Sequence, residues 1–462
     1  MQIYNTLTRK KEELKPIKDG KIGIYVCGPT VYNYIHIGNA RPLCVFDVLV
    51  RFLRYRGVDV TYVSNYTDVN DKIIKQAEKE GSTPDKIAEK YIAEFEKDSN
   101  GLNVTAPDVR PRVSKYIGKI IGMIKTLVDN GYAYESGGDV YYRTRKFESY
   151  GKLSRQPLDE LIAGARVEIN DLKEDPLDFA LWKRADESEQ HWNSPWGPGR
   201  PGWHIECSAM AKDTLGDTID IHGGGCDLIF PHHENEIAQS EAATGKEFAH
   251  YWMHNGHINI DNKKMSKSAG NFFLTRDAAE KYGYETVRYL MIQAHYRMPM
   301  NYTPELLLSC KSSLDRLYNL KSALEMAISN SAGDEISENV SNLCREKKDK
   351  FINSLEDDLN TADALSAIFE LTRDVNTLIS DGISKAEAKL CLDTLVELCS
   401  VLGILSGRDE KIPDEITELV NARKQARAAK DFALADSIRD EIESKGYAVE
   451  ETRQGTKVYK KH

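Results

Sequence analysis

Two short segments carry the residue types that handle phosphate, and a third gathers the types that hold a metal. His36-Ile37-Gly38-Asn39 stands between a strand-like alternation ending near Cys27 and a helical pattern that begins at Leu43. A helix starting there offers amide N–H groups and the positive end of its dipole to an anion. Gly38 admits a ligand close to the backbone, and His36 and Asn39 add side-chain donors. Taken alone, the same four residues describe a loop histidine with a capping asparagine. Lys264-Met265-Ser266-Lys267-Ser268 lies between Asp261-Asn262 and Gly270-Asn271. Two lysines three apart on a flexible loop can neutralise a polyphosphate whose charge redistributes during reaction, although a solvated basic turn reads the same way.

The third segment is Phe230-Pro231-His232-His233-Glu234-Asn235-Glu236. Pro231 suits the first turn of a helix, which would put His232 and Glu236 on one face at a spacing fit for two ligands of one ion. Spacing does not choose among Cys226, His232, His233, Glu234 and Glu236, which all fall within eleven residues. The eight cysteines contain no C-x-x-C pair, so structural disulfides are not expected and a metal site must be assembled from distant parts of the chain. Each cysteine otherwise reads as a small buried hydrophobe.

These residues need a scaffold. At 462 residues the chain has room for three domains, since domains run to roughly 100–200 residues. With 41% apolar, 9% aromatic and 29% charged residues it has the profile of a globular protein. A formal charge of −10 excludes a surface that is basic throughout, but not a local basic face. No apolar run approaches a membrane span, and Met1 to Thr6 lacks the basic and apolar stretches of a signal peptide, so a cytoplasmic protein is expected.

Ile22, Ile24 and Val26 alternate, Leu43, Phe46, Val50 and Leu53 recur at helical spacing, and Val58, Val60 and Tyr62 alternate again. This is a βαβ unit, hence a parallel sheet with ligands at its carboxyl edge. The expected fold is α/β: a Rossmann-like catalytic domain over residues 1–110 and 196–255, with an inserted connective segment at 111–195 and a lysine-loop segment at 256–303. A helical bundle over 304–402 follows, with a stripe through Leu307, Cys310, Leu314, Leu317, Leu324 and Ile328. A small α/β module over 403–462 closes the chain, its helix presenting Phe432, Ala435, Ile438 and Ile442 before Gly446, then a hairpin from Tyr447 to Tyr459 turning at Arg453-Gln454-Gly455.

The two phosphate-type motifs, in this order, resemble the signatures of class I aminoacyl-tRNA synthetases. The sequence is similar to the cysteinyl-tRNA synthetases in particular, through Cys27-Gly28-Pro29-Thr30-Val31-Tyr32, Gly202-Trp203-His204-Ile205-Glu206-Cys207-Ser208, Asp220-Ile221-His222-Gly223-Gly224-Gly225 and the His232–Glu236 segment. The likeness runs nearly end to end. It implies ATP-dependent activation of L-cysteine and transfer to tRNA(Cys), with Mg²⁺ accompanying ATP and one Zn²⁺ held by Cys27, Cys207, His232 and Glu236. Cys226, six residues before His232, is the rival ligand. It further implies phosphate handling by His36, Gly38, Asn39, Lys264 and Lys267, and contacts to the amino acid from Thr67, Trp203 and His222. Zinc has a reason to be there: a hydrophobic pocket separates such close neighbours as cysteine and serine by only about 1–3 kcal/mol, whereas a soft thiolate outcompetes a neutral hydroxyl at the metal.

In the tail, residues 421–462 hold ten Lys and Arg against seven acids. The stretch Arg427 to Asp440 resembles the family's anticodon-reading module. Two departures stand out: Asn39 occupies a position where many class I enzymes have a second histidine, and Gly455-Thr456 is followed by Lys457-Val458-Tyr459 where family members often carry tryptophan. A ligase joining cysteine to a small amine would use the same adenylate and zinc chemistry but would not need residues beyond about 304. A non-catalytic zinc-dependent RNA-binding protein would not need two phosphate-handling motifs. A monomer is expected.

Overall fold

In the computed structural model, the described residues are 1–156, 172–186, 189–260, 263–264, 273–406, 413–452 and 455–460. The chain divides into two compact units, the first holding Met1–Arg276, Ala294–Tyr302 and Glu356–Asn360, the second holding Asp277–Gln293, Thr303–Leu355 and Thr361–His462.

The first unit is built on a four-stranded parallel sheet in the order Ala249–Asn255, Ile219–Gly225, Lys21–Val26, Asp59–Ser64. The βαβ unit read from the sequence is its centre: Lys21–Val26 passes through the helix Ile37–Tyr55 into Asp59–Ser64. Ile24, Tyr25 and Val26 are all buried, as expected of a strand covered on both faces. The crossover helix is also buried along most of its length, and even Arg41 and Asp47 are sealed in. Arg41 answers its burial by donating to the carbonyls of Gly256, His257 and Met298 at 2.6–3.0 Å, which ties the start of this helix to the chain beyond the last parallel strand.

An antiparallel sheet of Ala133–Ser136, Asp139–Tyr142, Phe179–Arg184 and Gly199–Pro201 interrupts the parallel pattern. The helix Val113–Asp129 packs on the helices Trp203–Leu215 and Glu234–Thr244. Gly202 makes the return from this sheet possible, since a Cβ there would lie 1.9 Å from the carbonyl oxygen of Ala180. A small sheet places Ile258–Ile260 between Lys263–Lys264 and Met300–Tyr302.

The second unit is helical through Pro304–Asn330, Glu338–Glu356, Thr361–Asp381 and Lys385–Leu402. Leu307, Cys310, Leu314, Leu317 and Leu324 are buried as the stripe requires, while Ile328, near the end of its helix, is half-buried. The helices Asp414–Ala428 and Phe432–Ser444 then precede an antiparallel pair, Tyr447–Thr452 with Gly455–Lys460. Ile416, Ile438, Ile442 and Val449 form the core of this part. Gly446 stops the helix at φ +84°. Phe432, at the first helical position, is 61% exposed, whereas Ala435, Ile438 and Ile442 are buried. No helix among the described residues is long and apolar enough to cross a membrane.

Candidate active site

The carboxyl ends of the parallel strands collect the reactive side chains. Cys27 follows Lys21–Val26, Asn65 and Thr67 follow Asp59–Ser64, and His222 lies within Ile219–Gly225. The helix Trp203–Leu215 brings Trp203 and Cys207 from the side. The segment before the helix Glu234–Thr244 brings His232 and His233, and the helix itself brings Glu236. The α-helix is entered through a wider π-type turn over Ile229–His233, in which Phe230 alone is extended (φ −135°, ψ 134°), so that Pro231 opens the helical geometry as its sequence position suggests. His232 and Glu236 meet on one face, with Nε2 3.0 Å from Oε1.

Two overlapping sets of four ligand-type atoms have all members within 4.8 Å of one another: Cys27, Cys207, His232 and Glu236, and Cys27, His222, His233 and Glu236. Both share Cys27 and Glu236, whose Sγ and Oε1 are 3.3 Å apart. Cys226 belongs to neither set; its Sγ lies 2.8 Å from His257 Nδ1. The donors fit a soft or borderline metal ion, with sulfur, nitrogen and a carboxylate oxygen in one buried cluster. A further sign of fit is His233 Nε2, buried without a hydrogen-bond partner among the described residues and 4.0 Å from Glu236 Oε1.

The electrostatics favour the anionic form of two of the four groups, Cys207 and Glu236. A hydrogen bond with Cys27 acts most strongly on the Cys207 thiol and, with help from His232, pulls it down to about 6 despite its burial. Burial, then the neighbouring Cys207 and Glu236, push the Cys27 thiol well up. Burial alone would raise the Glu236 carboxyl, but His222 and His232 outweigh it and hold the group well below the usual range. Burial likewise opposes charge on His232, yet Glu236 and Cys207 carry it up to about 10.

Around this cluster lie further imidazoles. His204 Nδ1 is 2.9 Å from His232 Nδ1, His222 stacks on Trp252 at 4.6 Å, and His233 Nδ1 is 2.8 Å from His254 Nε2. Trp203 stacks on His232 at 4.2 Å while remaining 40% exposed, so it is a wall of the site rather than core packing. Thr67 and His222 are buried.

His36 caps the helix Ile37–Tyr55. Asn39 Oδ1 accepts from the His36 amide at 3.2 Å, so its capping role is real, and its side-chain N–H groups stay uncommitted among the described residues. The supply of helix amides is smaller than the sequence implies. Ile37 N–H donates to the Phe273 carbonyl at 3.0 Å and Asn39 N–H to the His36 carbonyl at 2.8 Å, leaving Gly38 N–H the first-turn amide without a partner among the described residues. Thr275 N–H also donates to the Ile35 carbonyl, so the chain emerging from the lysine loop is laced to the His36 motif. Lys264 is placed as backbone in Lys263–Lys264, and Lys267 lies outside the described residues.

The sequence reading gave no role in this cluster to Asn65, His204, Glu206 or His254, and left His233 among the open metal-ligand alternatives. A signal for two of them was available: Asn65 and His254, like His222, sit toward the carboxyl ends of strands of the one parallel sheet, where side chains converge.

A parallel α/β sheet with the His36–Asn39 helix start at its carboxyl edge and an antiparallel insertion defines the class I aminoacyl-tRNA synthetases. Residues 13–312 match the family of tRNA synthetases class I (C) catalytic domain, residues 350–406 the DALR domain, and residues 409–458 the cysteinyl-tRNA ligase anticodon binding domain. The cysteine–tRNA ligase of Caldicellulosiruptor saccharolyticus is 55% identical over 462 residues, and that of Clostridioides difficile 54% over 461, each covering 99% of both chains. The solved Mycobacterium tuberculosis methionyl-tRNA synthetase in complex with methionyl-adenylate matches with a TM-score of 0.62 at 18% identity, over 83% of this chain and 89% of that one, and shows the shared fold. The chain belongs to the cysteine–tRNA ligase family.

Proposed function

We propose that this protein activates L-cysteine with ATP, forming cysteinyl-adenylate and pyrophosphate, and transfers the cysteinyl group to the terminal ribose hydroxyl of tRNA(Cys). The observation that carries this reading is the convergence of Cys27, Cys207, His232 and Glu236 in one buried cluster beside Thr67 and Trp203, at the strand ends that adjoin the His36–Asn39 helix start.

Of the two candidate metal sets, the one with Cys27, Cys207, His232 and Glu236 offers two thiols and would hold Zn²⁺. Zinc bound there supplies a soft Lewis acid that selects a thiolate over a hydroxyl. His204 orients the His232 ring, and His222 Nε2, 2.8 Å from Glu236 Oε2, orients the carboxylate. Thr67, Trp203 and His222 are the contacts proposed for the amino acid.

The carboxylate of cysteine attacks the α-phosphorus in line, and the chain contributes positioning and charge stabilisation. Gly38 N–H, His36 and the free N–H groups of Asn39 serve the phosphates, while Lys264 and Lys267 neutralise the pyrophosphate as it leaves; Mg²⁺ arrives with ATP. Asn39 can donate but cannot carry charge, so no protonated group is invoked there.

The connective role of residues 111–195, the tRNA stem contact of 256–303 and anticodon reading by 403–462 are part of the same proposal, as are a cytoplasmic location and a monomeric state. The anticodon-domain match over residues 409–458 supports tRNA rather than a small amine as acceptor. The deciding experiment is aminoacylation of tRNA(Cys) with cysteine against serine, on the full chain and on one ending at Ser406. Cysteine-specific charging that requires the C-terminal module is expected; transfer to a small amine by both chains would overturn the reading.

A further inference from the structure

Asn65 has no assigned role in the chemistry above, yet it is wholly buried and its side chain reaches four other residues of the site. Its Oδ1 accepts from the Gly28 amide at 2.9 Å and from the Tyr25 hydroxyl at 3.2 Å, and lies 3.8 Å from Cys207 Sγ. Its Nδ2 donates to Thr67 Oγ1 at 3.2 Å. The backbone is committed to the same junction. A Cβ on Gly28 would fall 1.6 Å from the Asn65 carbonyl oxygen, so the Cys27–Gly28 corner and the Asn65 corner approach more closely than any side chain allows. Thr67 N–H donates to the Pro29 carbonyl and Thr67 C=O accepts from Val31 N–H, both at 3.1 Å.

Thr67 is the endpoint of this lacing. A hydroxyl has one proton to donate and two lone pairs. Here the proton goes to Glu206 Oε2 at 3.3 Å and one lone pair is taken by Asn65 Nδ2. One acceptor position is left, and a cationic donor such as the α-ammonium of an amino acid satisfies it best.

We propose that Asn65 is a positioning residue for cysteine recognition: its side-chain amide joins the Cys27–Gly28 corner to Thr67 and turns the Thr67 hydroxyl into a fixed acceptor for the ammonium group of the substrate. The inference rests on the reading of the protein as a cysteine-activating enzyme. It separates two tasks within one pocket, with the metal cluster reading the sulfur and the Asn65–Thr67 pair reading the amino group.

The test uses cysteine-dependent ATP–pyrophosphate exchange by the full, zinc-loaded chain with Asn65→Ala, Thr67→Ala and both. Losing an oriented hydrogen bond to a charged group should raise KM for cysteine about 10- to 100-fold in Asn65→Ala. KM for ATP and zinc content should stay at the wild-type level. Because Asn65 acts through Thr67, the double variant should be no worse than Thr67→Ala alone, within about twofold. Asn65→Asp, which keeps the acceptor for Gly28 and Tyr25 but removes the amide donor, gives the same KM shift and serves if Asn65→Ala does not fold. Additive effects of the two replacements, an equal rise in KM for ATP, or loss of zinc would overturn the proposal. A wild-type chain without cysteine-dependent exchange would instead refute the functional reading itself, and the two failures are distinguishable.

Discussion

His222 Nε2 and Glu236 Oε2 lie 2.8 Å apart, both side chains closed to solvent, while the other carboxylate oxygen faces His232 Nε2 at 3.0 Å and Cys27 Sγ at 3.3 Å. Glu236 thus divides its two oxygens between an orienting histidine and the donor cluster. Groups that orient a metal ligand contribute about 10- to 100-fold to metal affinity. If the proposed zinc site holds, His222→Ala is expected to weaken zinc binding by about that factor, and Glu236→Gln, which removes the charge of the proposed ligand, by more. A chromophoric chelator competing for the metal measures both; equal affinities in wild type and His222→Ala would remove the orienting role.

Cys207 and Cys226 make the sharpest pair for locating the metal. Cys207 is buried beside Cys27, whereas Cys226 is half-exposed and turned to His257. Cys207→Ser should release most of the bound zinc, and Cys226→Ser should leave the stoichiometry at the wild-type value by atomic absorption. The reverse outcome would move the site.

The parallel sheet was legible because its strands and crossover helix differ in apolar period, as Ile22, Ile24 and Val26 show against Leu43, Phe46, Val50 and Leu53. The metal-type cluster was legible in part from local spacing, which pairs His232 with Glu236, but the choice of Cys27 and Cys207 came only through resemblance, since no local spacing betrays contacts made by strand order. Asn65 stayed hidden for the same reason, since a buried asparagine just past a strand looks like a turn residue until its partners are known. The helix start at Pro231 was legible from proline's preference for a first turn, and the extended residue before it, Phe230, marks the boundary; the wider π-type turn that carries His232 and His233 into the helix was not. The exposure of Phe432 was not legible, because helical spacing shows that it shares a face with Ala435, Ile438 and Ile442 but not where the edge of that face meets solvent.

The helical unit carries its own pH dependence. Glu387 accepts from the Ser337 hydroxyl at 2.6 Å and from the Ser384 amide at 3.0 Å, while its own amide donates to Ser384 Oγ. The Ser337 hydroxyl first, then the Ser384 amide, lower its carboxyl to about 2. A group lowered on folding stabilises the fold above its unfolded value and loses that contribution as pH falls through the folded one. Glu387→Ala should therefore speed amide exchange in Lys385–Leu402 at pH 7, by an amount corresponding to about 1 kcal/mol or less given partial solvent screening. The difference from wild type should narrow below about pH 4.5 and vanish near pH 2. A difference unchanged across that range would mean that the charge plays no part.

Phe432 presents a large apolar ring to solvent at the start of its helix, directly after Arg427, Lys430 and Asp431. Under the proposed reading, an exposed aromatic ring beside basic residues in a module matching an anticodon-binding domain would serve base stacking, which contributes about 1–3 kcal/mol per base. Its exposure means that removal should not disturb the core of Ile416, Ile438, Ile442 and Val449. Phe432→Ala is expected to lower kcat/KM for charging tRNA(Cys) by about 10-fold or more, while cysteine-dependent ATP–pyrophosphate exchange stays at the wild-type rate. Phe432→Trp should retain charging, because stacking needs an aromatic face rather than a particular ring. Parallel assays of the two half-reactions decide the matter: a loss shared by exchange and charging would place the effect in the catalytic unit and remove Phe432 from tRNA recognition.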